Sequence, residues 1–340
     1  MDRLTMRRPT RREILKYCGA MAASTTLTSA LSGEARAVFG SGDRGEIARL
    51  HPGPIPPSPA AKYGFHHLTF ADDFLSPDTI DVNNTLAPGY KWYVANAMIP
   101  QDSPDGNMHT GVVQSPSSVS VADSILTFAP SAKSGGWLTN VGYKGASAPR
   151  TVGTPIAADG GYFECRMSFD PNFKPAASFV YPFQYWPAFW IEDIDLWLAI
   201  NDRNTARVNK PELDFFEYFS NSVGYGMDMH DWTNNKNSAG LIPSAANASF
   251  DSPAFSRMNT FGTLWAPQRK NGGKGIVHRY FNGKHISAAD LTYSSTTTSP
   301  QATRAFQGVF SDMDTSAGFV LQIGSGHGWP IHVDYVRVWQ

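Results

Sequence analysis

Tyr162-Phe163-Glu164-Cys165-Arg166-Met167-Ser168-Phe169-Asp170 alternates with period 2. Phe163, Cys165, Met167 and Phe169 point one way, and Tyr162, Glu164, Arg166 and Ser168 point the other. Such alternation marks a strand with one buried face, and it makes Cys165 a core residue. Residues 276–287 contain Phe281-Asn282-Gly283-Lys284, an Asn-Gly pair between alternating segments that predicts a type I′ hairpin. Val333-Asp334-Tyr335-Val336-Arg337-Val338-Trp339 is a further run of β-forming residues at the C-terminus. No amphipathic helical window of twelve or more residues competes with these. Strands punctuated by Gly, Pro and Asn predict an all-β antiparallel sandwich.

The whole chain agrees. It has 340 residues, is 41% hydrophobic and is 17% charged, enough apolar material for a core and far from disorder. Lys+Arg number 28 against 29 Asp+Glu, so there is no basic footprint and a nucleic-acid binder is excluded. No run of about 20 apolar residues exists to span a bilayer. Aromatics at 13%, with 30 Gly and 24 Pro, suit many short strands joined by turns.

The front end reads as an address. Thr10-Arg11-Arg12-Glu13-Ile14-Leu15-Lys16 precedes a mildly apolar stretch, and Ala35-Arg36-Ala37 has small residues where a signal peptidase cuts. The arginine pair predicts a twin-arginine signal over residues 1–37, hence a bacterial protein in the periplasm or secreted. Cys18 leaves with that signal and Cys165 remains alone, so no intramolecular disulfide forms. Residues 38–64 include His51-Pro52-Gly53-Pro54-Ile55-Pro56-Pro57-Ser58-Pro59 and read as a Pro-rich extended arm or linker with little to bury. Residues 65–340 read as one domain, expected to be monomeric.

Pro211-Glu212-Leu213-Asp214-Phe215-Phe216-Glu217-Tyr218-Phe219 carries the chemistry. Three acids among apolar residues are expensive unless they line a cleft or find partners. In a regular strand Glu212 and Asp214 share a face, but Glu217 falls on the other with Leu213 and Phe215. One extra residue at Phe215–Phe216, a β-bulge, brings Glu217 back to the acids and turns Leu213, Tyr218 and one or both of the phenylalanines to the core. Two glutamates flanking an aspartate suit glycosidic cleavage, with one carboxylate attacking the anomeric carbon and one carboxylic acid protonating the leaving oxygen. Retention needs the two carboxyls roughly 5–5.5 Å apart. Glu212 and Glu217 lie about 13–17 Å apart along an extended strand, so the strand must curve with its acids on the hollow side. Crowding three carboxylates keeps a proton on one of them. A second acidic run, Glu192-Asp193-Ile194-Asp195, spreads over both faces of a strand and reads as loop or rim.

The acidic segment resembles the active-site strand of the family 16 glycoside hydrolases, in its bulged Glu-x-Asp-x-x-Glu form, the branch of laminarinases, agarases and carrageenases. Other stretches resemble that family in order along the chain. They are Leu68-Thr69-Phe70-Ala71-Asp72-Asp73-Phe74, Gly160-Gly161-Tyr162-Phe163-Glu164-Cys165-Arg166-Met167, Trp186-Pro187-Ala188-Phe189-Trp190 and residues 333–339. The resemblance covers roughly residues 66–340. It implies a concanavalin-like β-jelly roll, two curved antiparallel sheets with a concave substrate cleft. It also implies retaining hydrolysis of internal β-linkages by double displacement, with Glu212 as nucleophile, Asp214 assisting and Glu217 as acid/base. Catalysis then needs no cofactor. The family's structural Ca²⁺ would lie near Asp73 and Asp334, although Asp73 stands where the family usually has Glu. Residues 191–210 make a longer spacer before the acids than is usual there.

Sugar rings present apolar faces, so aromatic platforms are expected beside the acids. Trp186, Trp190 and Trp232 are candidates, with His230 beside the acid/base by resemblance and Asn96 pointing into the cleft. The expected substrate is a β-glucan, a galactan or a bacterial exopolysaccharide. A transglycosylase on the same site and a non-catalytic lectin-like protein are the alternatives. Other chemistries lack their residues: there is no H-E-x-x-H, no phosphate loop, and Gly324-Ser325-Gly326-His327-Gly328 is not a nucleophile elbow.

Overall fold

The alternating run Tyr162–Asp170 lies at the middle of a sheet. In a computed structural model it is the strand Gly161–Phe169, flanked by Asn259–Ala266 on one side and Ile331–Trp339 on the other. The structure describes residues 55–94, 119–128, 136–145, 147–170, 187–201, 211–218, 225–227, 229–231, 255–287, 290–293, 313, 316–325 and 330–340. Two large sheets pack face to face as a β-jelly-roll sandwich. The nine-stranded sheet runs Lys284–His285, Gly275–Phe281, Asn259–Ala266, Gly161–Phe169, Ile331–Trp339, Ile125–Phe128, Val119–Ala122; off this path Leu68–Asp72 pairs with Ile331–Trp339 and Leu291–Tyr293 pairs with Gly275–Phe281. The seven-stranded sheet runs Met229–Asp231, Pro211–Glu217, Pro187–Asp193, Phe319–Ser325, Gly136–Thr139, Trp92–Tyr93, Ile80–Asp81. All pairings are antiparallel except the two-residue match of Ile80–Asp81 with Trp92–Tyr93. No helix among the described residues is long and apolar enough to cross a membrane.

The core lies between the sheets and follows the alternation. Phe163, Cys165, Met167 and Phe169 meet Phe189, Ile191, Leu213, Phe215 and Phe216 from the opposite sheet. Phe163 stacks on Phe215 at 4.6 Å, and Phe216 meets Phe261 at 4.4 Å. Each such ring taken from water contributes about 1.5–3 kcal/mol. Burial, with Glu164 adding to it, pushes the Cys165 thiol well above its ordinary pKa, so it stays protonated and serves as packing. The Asn-Gly hairpin also forms: Phe281 pairs with Lys284, and Asn282 and Gly283 take φ of 49° and 75°. Positive φ at both central residues is the type I′ turn.

One expectation about the arm is corrected. Ser58–Lys62 is not extended but a short helix. Pro59 sits in its first turn, where a missing N–H costs nothing. Ala60 and the following Phe65 are fully buried. They cap a second cluster on the outer face of the nine-stranded sheet, formed by Tyr162, Leu264, Ala266, Ile276, Tyr280 and Trp339. Proline content hid two apolar residues, Ala60 in the helix and Phe65 just after it, that both reach this cluster.

Candidate active site

The register of Pro211–Glu217 against Pro187–Asp193 decides where the acids stand. Glu212 pairs with Glu192, Leu213 with Ile191 and Asp214 with Trp190; then Phe216 pairs with Phe189 and Glu217 with Ala188. Phe215 has no partner of its own, and the register shifts there. This is the bulge that the spacing of the acids predicts. Phe215 and Phe216 both lie in the core with Leu213 and Tyr218. Residues paired across an antiparallel ladder share a face. Glu192 is therefore beside Glu212, Trp190 beside Asp214 and Ala188 beside Glu217, all opposite the core.

The backbone at Glu217 is held from both sides. Its N–H donates to the Gly226 carbonyl at 2.9 Å, and the Gly226 N–H donates back at 2.6 Å. The Tyr218 N–H donates to the Pro187 carbonyl at 2.9 Å. These bonds fix the strand just past the bulge, where a slip of one residue would reverse every side chain. Glu212, Asp214 and Glu217 are 2%, 0% and 4% exposed.

Glu192 is the residue that sequence reasoning misplaced. Glu192 and Asp193 are not loop or rim but the end of the strand Pro187–Asp193. Glu192 is fully buried and accepts a hydrogen bond from the Gln322 side chain. Asp193 points the other way and accepts the Asp195 N–H at 2.7 Å, at the start of the helix Ile194–Asn201. The run thus straddles a strand end and a helix start, and neither period alone describes it. Trp137 was also missed. It lies on Gly136–Thr139 and meets Trp190 edge-on at 4.6 Å, with both rings fully buried. The alternation of Gly136-Trp137-Leu138-Thr139, with Leu138 in the core, is the signal that could have found it.

The remaining expected residues divide. Trp190 stands on the acid face by register, as a packed ring rather than an open platform. His230 is the register partner of Glu212 on Met229–Asp231, the edge strand beyond the acids. Trp186, Trp232 and Asn96 lie outside the described residues. Asp73 and Asp334 each meet an arginine. Asp73 accepts two hydrogen bonds from Arg337, at 3.0 and 2.7 Å, and Asp334 accepts one from Arg166. Guanidinium groups thus compensate both carboxylates.

No family model matches the chain, and no curated protein matches it. Solved structures do. An endo-1,3-β-glucanase from Streptomyces sioyaensis is 18% identical, aligned over 84% of this chain and 98% of that one, with a TM-score of 0.51. A GlcNAcα1-4Gal-releasing endo-β-galactosidase from Clostridium perfringens aligns over 85% of this chain and 64% of its own, at 14% identity and a TM-score of 0.43. A Bacillus licheniformis β-glucanase aligns over 80% and 97%, at 13% identity and a TM-score of 0.40. At such identities the likeness is one of backbone architecture, and the Streptomyces enzyme shares with this chain the jelly-roll sandwich itself.

Proposed function

We propose that this protein is a retaining endo-β-glycanase that cuts internal bonds of a polysaccharide by double displacement. The observation that carries the reading is the single unpaired residue, Phe215, which returns Glu217 to the face of Glu212 and Asp214. In this reading the Glu212 carboxylate attacks the anomeric carbon while the Glu217 carboxylic acid gives its proton to the departing glycosidic oxygen. The C–O bond to the leaving sugar breaks as the glycosyl ester to Glu212 forms. Glu217, now a carboxylate, takes a proton from water as that water attacks the ester, which frees Glu212 and restores the acid. Asp214, between the two in sequence and on their face, orients Glu212. The Trp137–Trp190 pair forms an apolar wall beside Asp214.

The resemblance of the acidic segment supports a β-glucan, a galactan or a bacterial exopolysaccharide as substrate. The twin-arginine reading of residues 1–37 places the work in the periplasm or outside the cell, where such polymers are met. Release of reducing ends from a polysaccharide panel tests the proposal. Glu212→Gln should lower the rate by roughly 10⁴-fold or more while leaving the unfolding curve close to that of the parent. Undiminished turnover in that variant, or tight oligosaccharide binding by the parent with no product over days, rules the proposal out.

A further inference from the structure

On the opposite sheet, at its far edge and on its outer face, three side chains converge. His278 lies on Gly275–Phe281, His285 on the return strand Lys284–His285, and Asp290 just before Leu291–Tyr293. A ring nitrogen of each histidine and a carboxylate oxygen of Asp290 all lie within 4.8 Å of one another. The backbone fixes this meeting. Tyr280 pairs with His285 across the hairpin, and Val277 pairs with Leu291 on the later strand. The same edge of Gly275–Phe281 is thus paired twice, in two registers, with the chain making an excursion between them. The Ile286 N–H donates to the Arg279 carbonyl at 2.8 Å at the start of that excursion. Continuing the second register by one residue sets Asp290 opposite His278, and both registers turn their side chains to the outer face that Tyr280 shares.

We propose that His278, His285 and Asp290 form a binding site for a divalent transition-metal ion of the zinc class. Two imidazoles with one carboxylate are a donor set that suits zinc and its neighbours, whereas calcium and magnesium prefer all-oxygen sites. Tetrahedral ligands about 2.0–2.1 Å from zinc stand roughly 3.4 Å apart, so the three groups need close by little more than an ångström. Part of that approach already exists: His285 Nε2 is 2.7 Å from Asp290 Oδ1, and His278 Nε2 is 3.9 Å from Asp290 Oδ2. The ion takes the place of the hydrogen bond between His285 Nε2 and Asp290 Oδ1, with each coordinated imidazole neutral and its proton on the other ring nitrogen.

The rings are also held in orientation. His285 stacks on Tyr280 at 5.1 Å, and Tyr63, just after the N-terminal helix, meets His278 edge-on at 6.1 Å. Lys62 is the neighbouring cation on that helix, and its charge opposes the ion. All three donors are partly exposed, which leaves a fourth position for water. The site sits on the outer face of one sheet while Glu212, Asp214 and Glu217 stand on the other sheet, also away from the core. Its expected role is structural: it ties the edge hairpin to the strand that follows and so blunts a sheet edge.

Zn²⁺ titration of the metal-free full-length protein against a chelator of known affinity tests this. One ion should bind and raise the melting temperature. His285→Ala and Asp290→Asn should each weaken binding at least tenfold while leaving polysaccharide cleavage unchanged. Co²⁺ should give the intense visible absorption of a tetrahedral site, and a hundredfold excess of Mg²⁺ or Ca²⁺ should not displace it. Anomalous diffraction from zinc-soaked crystals gives a readout independent of the variants, with the peak expected between the three side chains. Full-strength Zn²⁺ binding in both variants, no binding by the parent, or a peak confined to other histidines overturns the proposal.

Discussion

The two sheets of the sandwich treat charge in opposite ways. The strands of the seven-stranded sheet carry Asp81, Glu192, Asp193, Glu212, Asp214, Glu217 and Asp231 and neither Lys nor Arg. On the nine-stranded sheet signs alternate across neighbouring strands. Glu164 pairs in register with Arg337, Arg337 donates to Asp73, Arg166 donates to Asp334, and the Tyr335 hydroxyl donates to Glu164 at 2.9 Å. Both sheets use the same alternation of apolar and polar residues. What differs is the partner placed across the ladder. Opposite charges within reach stabilise a scaffold modestly. A buried face of one sign works against folding, and such concentrations mark sites of chemistry more often than scaffold.

That contrast is most sharply broken within the acidic strand. Deleting Leu213 while Asp214 keeps its place beside Trp190 swings Glu212 into the core. Cleavage should vanish, and equilibrium urea unfolding should show a loss of about 3–5 kcal/mol from an uncompensated buried charge. Deleting Phe215 removes only the unpaired residue and leaves Glu217 opposite Ala188. Its cost in stability is also about 3–5 kcal/mol, from the lost ring, yet reducing-end release should persist well above the Leu213 deletion. Equal inactivity of two well-folded deletions would show that sharing a face is not what turnover depends on.

The nine-stranded sheet offers a smaller test, through pH. Burial raises the Glu164 pKa, against hydrogen bonds from Tyr335 and Tyr162 and the charge of Arg337, which lower it. The folded chain therefore holds this proton at a pH where the unfolded chain has released it, above about 4.3. The stabilisation is fully present below that pH and is lost as pH rises through the folded value. The stability of the parent relative to Glu164→Gln should fall from pH 4 upward in urea titrations, and a flat difference would contradict the burial. The smallest effect is expected at Arg337→Ala. Its partner Asp73 is only half-buried, so breaking this pair should cost about 0.2–1 kcal/mol in the same assay, and less at high salt.

Legibility followed the range of the interaction. The bulge was readable because period 2 is a property of adjacent residues, and Glu217 could not share a face with Asp214 without it. The Asn282–Gly283 turn was readable for the same reason. Glu192 was not: its place beside Glu212 depends on the register of two strands separated by residues 194–210, including a helix. Nor was the fate of Asp73 and Asp334, since neither sequence neighbourhood contains the arginine that takes up its charge.

Neighbouring residues sufficed for an all-β chain, the buried face of Gly161–Phe169, the type I′ hairpin, and the need for one extra residue among the acids. Each rests on backbone geometry that repeats every two residues or closes within four. Which strands lie side by side was set by long-range packing. That choice brought Glu192 and Trp137 to the acid face, gave Asp73 and Asp334 their arginines, folded Ser58–Lys62 onto the outer cluster, and drew His278, His285 and Asp290 together. Pairing across a sheet depends on how both faces of every strand are covered at once, and no local stretch of residues carries that information.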